Sequence, residues 1–366
     1  MKNILFVTHY LNSGGAERQM VNLACALKHR GYNVSFLCYK DGGYFYQDLL
    51  DKENIKVHWF IKGNIVNRLI KIRRTIRKGN FDVVISLLEM PNIINCISAI
   101  GGKSWKVITG ESSAFRNSQK IRGRIKVLRG KVIAYLTQYS DCLICNSFNA
   151  AQIWTKFYPK YKNKICTIYN PTSDKGIAQE YFYKANGVTH IIIAASFQHI
   201  KNPENLIKAV NILTPSDKKR IHIDWYGNIK AEKNIYSNSL NLINEYKLNE
   251  IICLHDAIKN IDDKMKEADF VALFSIEEGL PNCICEAMMA GKPIIMSEMS
   301  DYNVLCNNNG YLCKWDDINS IADALCKAIN TGKEQLTIMG KVSRKRAEEL
   351  FNTDKIIQQW IDIIEK

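Results

Sequence analysis

No apolar run in the 366-residue chain approaches the ~18 residues a membrane-spanning helix needs. The opening stretch MKNILFVTHY carries one lysine and only four consecutive apolar residues. That is too short for the apolar region of a signal peptide and reads as a first strand, so the expected compartment is the cytoplasm. Twelve cysteines are present, but no second pair stands at zinc-ligand spacing from Cys142 and Cys145. They are scattered through apolar segments such as VSFLCYK and IICLH, where a reduced cysteine serves as a small buried residue. A G-x-G-x-x-G turn is missing after the first strand, which removes the nicotinamide-type dinucleotide fingerprint there. No recognised nucleic-acid module appears, nor a basic groove interleaved with aromatics.

Acid is scarce in one half only. Residues 1–170 hold 27 Lys and Arg against 9 Asp and Glu, whereas residues 171–366 hold 23 against 27. Such asymmetry points to an anionic partner for the first half. Between residues 61 and 131 there are 16 basic and 3 acidic residues. Two stretches there repeat apolar residues at helical spacing: Ile65, Leu69, Ile72 and Ile76, then Ile121, Ile125, Leu128 and Val132. Their companions Arg68, Lys71, Arg74, Arg122, Arg124, Lys126 and Arg129 suit an anionic membrane surface, at about 1 kcal/mol per basic residue. A core-facing helix with a solvated basic side is the plainer reading of the same pattern.

What is abundant is alternation. Short β-branched runs (NILFVTH, YNVSFLCY, IKVHWF, DVVISLL, WKVITG, DCLICNS, KICTIYNP) are separated by amphipathic segments, and after Pro171 the pattern restarts with HIIIAAS, IHIDWYG, IICLHD, DFVALFS and KPIIMS. Continuous apolar strands alternating with helices predict parallel sheets covered on both faces. A chain of this length is too large for one ordinary core. The expected architecture is α/β: two Rossmann-like domains, residues 1–172 and 186–350, with a C-terminal helix over 352–366 packing back on the first. Ligands of such sheets bind at the carboxyl ends of the strands, so a cleft between the domains is the expected site.

Three loops at strand ends carry candidate chemistry. Gly14 and Gly15 follow the first strand and open a helix, where backbone amides can approach a ligand. Lys201 precedes a helix whose first turn carries Pro203 and Glu204, and a lysine there can meet a phosphate as a point charge. The stretch SIEEGLPNCICEAMMAGKPII, residues 275–295, places Glu278 at a strand end and Glu286 on the following helix. A carboxylate accepts two hydrogen bonds side by side, which suits a vicinal diol. Two of them could hold a sugar and a ribose with a diphosphate between.

EEGLPNCICEAMMAGKPII resembles the Glu–seven residues–Glu signature of retaining glycosyltransferases of family 4, which have the GT-B fold. The resemblance covers nearly the whole chain, through GGAERQMVNLACALKHRGYNVSFL, NSFNAAQIW, IYNP, KNPENLIKAV, DWYGN, CLHDAIKN and NNGYLCKWDDINSIADAL. It implies that Glu278 contacts the donor sugar and supports developing positive charge, and that Glu286 binds the ribose. Gly279, Leu280, Pro281 and Asn282 would line the sugar and diphosphate, Lys201 would neutralise the leaving diphosphate, and Ala257 and Ile258 would meet the base. Gly14 and Gly15 would meet donor or acceptor. Ser196 stands, after Ala195, where the family often has Gly-Arg, and Glu111 follows WKVITG where the family often has a histidine. Glu111 is either a polar contact or base, or only the cap of the next helix.

The resemblance also implies no bound metal and no cofactor beyond a nucleotide-sugar co-substrate, a UDP-sugar above all. KWDDINS and NIDDKM begin helices and read as caps, in keeping with that. The implied partners are a polyprenyl-diphosphate-linked or other glycan acceptor and the inner face of the cell membrane, which the enzyme would meet peripherally in surface-polysaccharide, lipopolysaccharide or capsule synthesis. A non-catalytic glycan-binding or partner subunit on the same fold, or a nucleotide-sugar epimerase, remains open on the sequence.

Overall fold

The computed structural model describes residues 1–12, 14–42, 44–111, 124–172 and 187–366, with only the backbone of 124–130. It divides into two compact units, Met1–Pro171 with Thr353–Lys366, and Thr172–Asn352.

The first unit is built on seven strands: β1 (Asn3–Thr8), β2 (Asn33–Cys38), β3 (Lys56–Trp59), β4 (Val83–Ser86), β5 (Lys106–Glu111), β6 (Cys142–Cys145) and β7 (Ile165–Thr167). Every pairing is parallel, in the order β3-β2-β1-β4-β5-β6-β7. Strand residues such as Leu5, Val7, Val84 and Val107 are fully buried on one face. Parallel strands covered on both faces need such unbroken apolar runs. The terminal helix Thr353–Glu365 completes this unit by burying Ile356, Ile357, Trp360 and Ile364. Lys2 and Lys106 donate to the carbonyls of Ile364 and Ile363, at 2.8 and 2.6 Å. A cation there satisfies the carbonyls that a helix C-terminus leaves open.

The second unit has six parallel strands: β8 (Thr189–Ala194), β9 (Ile221–Tyr226), β10 (Ile252–His255), β11 (Phe270–Leu273), β12 (Ile294–Ser297) and β13 (Gly310–Cys313), in the order β10-β9-β8-β11-β12-β13. β13 is four residues led by a glycine, too short to show as an apolar run. In both sheets the strand order reverses beside the first strand, between β1 and β4 and between β8 and β11. A doubly wound sheet opens a crevice at that reversal, outside the carboxyl ends of the strands.

Among the described residues no helix is long and apolar enough to cross a membrane. Both Cys142 and Cys145 are buried on β6, and all twelve cysteines are free thiols.

The basic helix Ile65–Lys78 differs in part from a simple stripe. Ile72 and Ile76 are fully buried, Leu69 packs against the core, and Ile65 is exposed together with Val66 and Ile70. Arg68 is not a free surface cation, because it donates to the Tyr39 carbonyl at 2.9 Å. Arg73 and Arg77 likewise hold carbonyls at the end of the helix Glu89–Ala99. Lys71 and Arg74 are exposed. The second basic stretch forms a helix over Arg124–Thr137, in which Ile133 and Leu136 are buried while Val132 is exposed. At the last position of the stripe read in the sequence, Val132 is thus exposed and its neighbour Ile133 is buried instead, while Ile121 and the side chains of Ile125 and Leu128 lie outside the described residues. Arg122 lies outside the described residues, as do the side chains of Arg124, Lys126 and Arg129.

Candidate active site

The loop after β8 runs from Ala195 through a 3-10 turn, His199–Lys201, into the helix Pro203–Ile212. Asn202 makes the turn at φ 61°, a left-handed conformation that asparagine tolerates. Its side chain and that of Asn205 both donate to the Trp315 carbonyl, at 2.7 and 3.0 Å, and so fix the loop. Gly227, just past β9, leaves room for this loop: a Cβ there would sit 1.9 Å from the Ala195 carbonyl oxygen. Ser196 donates to Gln198 Oε1 at 3.0 Å.

The loop after β11 holds Ser275 through Pro281 and leads into the helix Asn282–Met289. The two loops are joined directly, since the Ile276 amide donates to the Ile200 carbonyl at 2.9 Å. Beside that bond Lys201 Nζ pairs with Glu278 Oε1, and the two side chains are only 18% and 15% exposed. Ser275 Oγ donates to the same carboxylate oxygen at 2.8 Å. Ser275 is itself anchored, because its carbonyl accepts from Ser297 Oγ at 2.5 Å. A second serine, Ser300, donates to the Gly279 carbonyl, and Gly279, Leu280 and Pro281 are buried. Glu278 is thus held at the strand reversal of the sheet by one cation and one hydroxyl.

Glu286 lies one turn into the helix and is half-buried. Cys283 connects it to the pair. Burial pushes the Cys283 thiol up to about 12, Lys201 pulls it down, and Glu278 and Glu286 push it further up. One sulfur therefore feels all three charged groups. Asn282 is half-buried, while Ala257 and Ile258 are exposed in the loop after β10, where the Ala257 amide donates to Asp256 Oδ1 at 2.8 Å. Ser275 and Cys283 were not singled out in the sequence. The serine precedes the Glu-Glu-Gly turn without any motif of its own, and the cysteine looks like core.

In the first unit, Gly14 caps the helix Gly15–His29 with ordinary extended dihedrals, and a Cβ there would lie 2.2 Å from Glu17 Oε2. The Glu17 carboxyl folds back over its own helix start, and a side chain at position 14 would have to displace it. Glu17 is 9% exposed, and burial raises the pKa of its carboxyl. Glu111 ends β5 beside a small cavity shared with Glu89, Asn92, Thr109, Thr137 and Trp154. Its pKa is pushed up to about 8, first by burial, then by the charge of Glu89, against a weak opposing hydrogen bond from Asn92 Nδ2 at 3.5 Å. The next described helix, Arg124–Thr137, starts thirteen positions after Glu111, and residues 112–123 between them lie outside the described set.

Two parallel doubly wound α/β units in one chain define the GT-B class of fold. Comparison with solved structures agrees on the fold. The chain superposes over its full length on Alr3699/HepE of Anabaena in complex with UDP and glucose, at a TM-score of 0.81 and 16% identity, covering 100% of that chain. The lipopolysaccharide outer core galactosyltransferase WaaB follows at 0.77 and 14%, with 100% and 99% covered. Residues 13–174 match the family model Glycosyltransferase Family 4, and residues 189–331 match Glycosyl transferases group 1. Between them the two models take in most of the chain, which carries a family 4 glycosyltransferase domain followed by a glycosyl transferases group 1 domain.

Relatives found by sequence are nearer in identity, at 24–26%. An uncharacterized glycosyltransferase of Haemophilus influenzae is 26% identical over 375 residues, covering 100% of both chains. The Campylobacter jejuni "GalNAc-alpha-(1->4)-GalNAc-alpha-(1->3)-diNAcBac-PP-undecaprenol alpha-1,4-N-acetyl-D-galactosaminyltransferase" is 24% identical, covering 100% of this chain and 98% of its own. The Escherichia coli "UDP-Gal:alpha-D-GlcNAc-diphosphoundecaprenol alpha-1,3-galactosyltransferase" is 24% identical, covering 81% and 79%.

Proposed function

We propose that this glycosyltransferase moves a hexose or N-acetylhexosamine from a UDP-sugar to a polyprenyl-diphosphate-linked glycan, with retention of anomeric configuration and without a metal. The observation that carries the reading is the Lys201–Glu278 pair at the β8/β11 reversal, with Glu286 on the helix that follows. Two of the relatives act, by their descriptions, on undecaprenol-linked glycans, and the Anabaena neighbour binds UDP.

The chemistry assigned to each group follows from its charge. Diphosphate arriving at the loop after β8 competes with Glu278 for the Lys201 ammonium, which neutralises the leaving group. Glu278, relieved of part of its partner, then faces the anomeric carbon as positive charge grows there. The bond from that carbon to the β-phosphate oxygen breaks with its electron pair on the phosphate. The acceptor oxygen bonds to the carbon on the same face, and its proton passes to the departing phosphate oxygen. Glu286 accepts from the two ribose hydroxyls. Ser196, Gly279, Leu280 and Asn282 line the donor, with Ala257 and Ile258 at the base, while Gly14, Gly15 and Glu111 serve the acceptor side.

The surplus of basic residues in residues 1–170 supports peripheral attachment to an anionic leaflet, where the lipid-linked acceptor resides. Lys71 and Arg74 are free to reach lipid headgroups beside the exposed Ile65, Val66 and Ile70. The test is UDP release on mixing purified enzyme with UDP-sugars and a polyprenyl-diphosphate-linked glycan in the presence of a chelator. Turnover that depends on the lipid-linked acceptor and survives the chelator is expected. Activity that returns only with magnesium or manganese contradicts the metal-free reading.

A further inference from the structure

Strand alternation gives the β8–β9–β10 edge of the second sheet two unlike faces. Ile191, Ile221, Ile223, Trp225 and Ile252 point into the core. The positions between them carry His190, His222, Asp224 and His255, which stand on one face of three adjacent strands. Asp224 is the centre of the group. Its Oδ2 lies 2.7 Å from His190 Nε2, and its Oδ1 lies 2.7 Å from His255 Nε2 and 3.5 Å from His222 Nε2. The ligand-type atoms of His190, His222 and Asp224 are all within 4.8 Å of one another.

The His222 ring is the informative one. Its Nδ1 lies 3.3 Å from the Glu250 carbonyl, which can only accept, so Nδ1 carries the proton in the neutral ring. Nε2 is then a lone pair facing a carboxylate oxygen at 3.5 Å. A cation between these two electron-rich atoms would be stabilised by both, whether it is a metal ion or the proton of an imidazolium. A histidine whose second nitrogen donates to a backbone carbonyl is also the usual arrangement of a metal-ligating imidazole. In a tetrahedral zinc site with bonds near 2.0–2.2 Å, neighbouring ligand atoms stand roughly 3.3–3.6 Å apart. The His222–Asp224 separation already falls there, and the His190–Asp224 contact needs to open by less than about 1 Å.

We propose that His190, His222 and Asp224 supply three ligands to a divalent transition metal of the zinc type, with water in the fourth position and His255 donating to the Asp224 carboxylate from outside the coordination shell. Two imidazoles and one carboxylate suit zinc, and disfavour calcium or magnesium, which take oxygen ligands. The three ligands stand apart from the Lys201–Glu278 pair, although His255 ends β10 just before the loop of Ala257 and Ile258. His190 and His222 begin their strands, whereas Ser196 and Lys201 follow the carboxyl end of β8. Five strand residues separate the two ends by roughly 16 Å. The ion would clamp β8 to β9 at an edge of the sheet and stabilise the second unit.

The experiment is calorimetric titration of the chelator-treated full-length protein with zinc chloride, alongside thermal unfolding with and without the metal. One zinc per chain and a higher melting temperature are expected for the parent. His222→Gln and Asp224→Asn should lose the binding and the zinc-dependent stabilisation while His222→Gln still binds UDP. His255→Ala should weaken zinc about 10–100-fold, as loss of an outer-shell partner does. His222 is about a third exposed, so its replacement folds, and an unchanged metal-free melting temperature checks this. Zinc bound equally well by parent and His222→Gln would overturn the proposal, because the cysteines would then be the ligands. No zinc bound by the parent would overturn it too, leaving the group as a proton-bridged cluster.

Discussion

Lys201 and Glu278 meet across the strand reversal of the second sheet, each less than a fifth exposed, although 77 positions separate them in the chain. Removing either leaves the other charge largely buried without its ion-pair partner, at a cost of about 1–3 kcal/mol. Lys201→Ala and Glu278→Gln should therefore each lower stability in urea. The double variant should lose less than the sum, because the second substitution removes no further pair. Strict additivity would mean that the pair makes no energetic contribution in solution.

The two residues should separate in kinetics. Lys201→Ala is expected to raise the UDP dissociation constant tenfold or more, since a cation beside a diphosphate is worth at least about 1.4 kcal/mol. Glu278→Gln should leave UDP binding within about threefold and cut kcat by two orders of magnitude or more, the scale of losing one electrostatic stabiliser. Calorimetry with UDP and steady-state rates on the same preparations decide it. Equal loss of UDP affinity in both variants would contradict the assigned roles.

For Glu286→Ala the expectation is weaker nucleotide binding with the fold intact. Two charge-assisted hydrogen bonds to the ribose are lost, each worth about 1.5–3 kcal/mol. Unchanged affinity for UDP would remove Glu286 from the ribose position.

Glu111 gives the pH prediction. Its folded pKa, about 8, stands above the ordinary carboxylate value, so the fold favours the protonated form. Stability linked to this group is fully present below the unfolded value near 4.5 and is lost as pH rises toward 8. Glu111→Gln mimics the neutral acid and should raise the melting temperature at pH 8 while changing it little at pH 5. If glutamine also preserves turnover, Glu111 acts as a polar contact. If turnover collapses with no change in acceptor KM, it acts as a base.

Much of the fold could be read from the sequence because parallel strands buried on both faces leave unbroken apolar runs, as in THIIIA of β8 or VVIS of β4. The glutamates could be located because Gly279 and Pro281 mark where a strand ends and a helix begins. The contacts holding them could not. Ser275 looks like any loop serine, yet its hydroxyl holds the carboxylate of Glu278. The basic helices misled in part for a related reason. Arginine counts the same in a charge tally whether it faces lipid or, like Arg68 and Arg77, ties down backbone carbonyls. The His190–His222–Asp224 group carries no sequence motif at all, since strand register alone brings it together.

The central claim is donor activation by Glu278 with retention of configuration, and one measurement tests it most directly. The glycosylated lipid-linked product formed from a UDP-α-sugar is isolated and the anomeric coupling of the new linkage is read by proton NMR, for the parent enzyme and for Glu278→Gln. The account predicts an α-linkage from the parent and a rate at least about a hundredfold lower from the variant, whose trace product is also α. A β-linkage from the parent, or an unaffected rate in the variant, would contradict it.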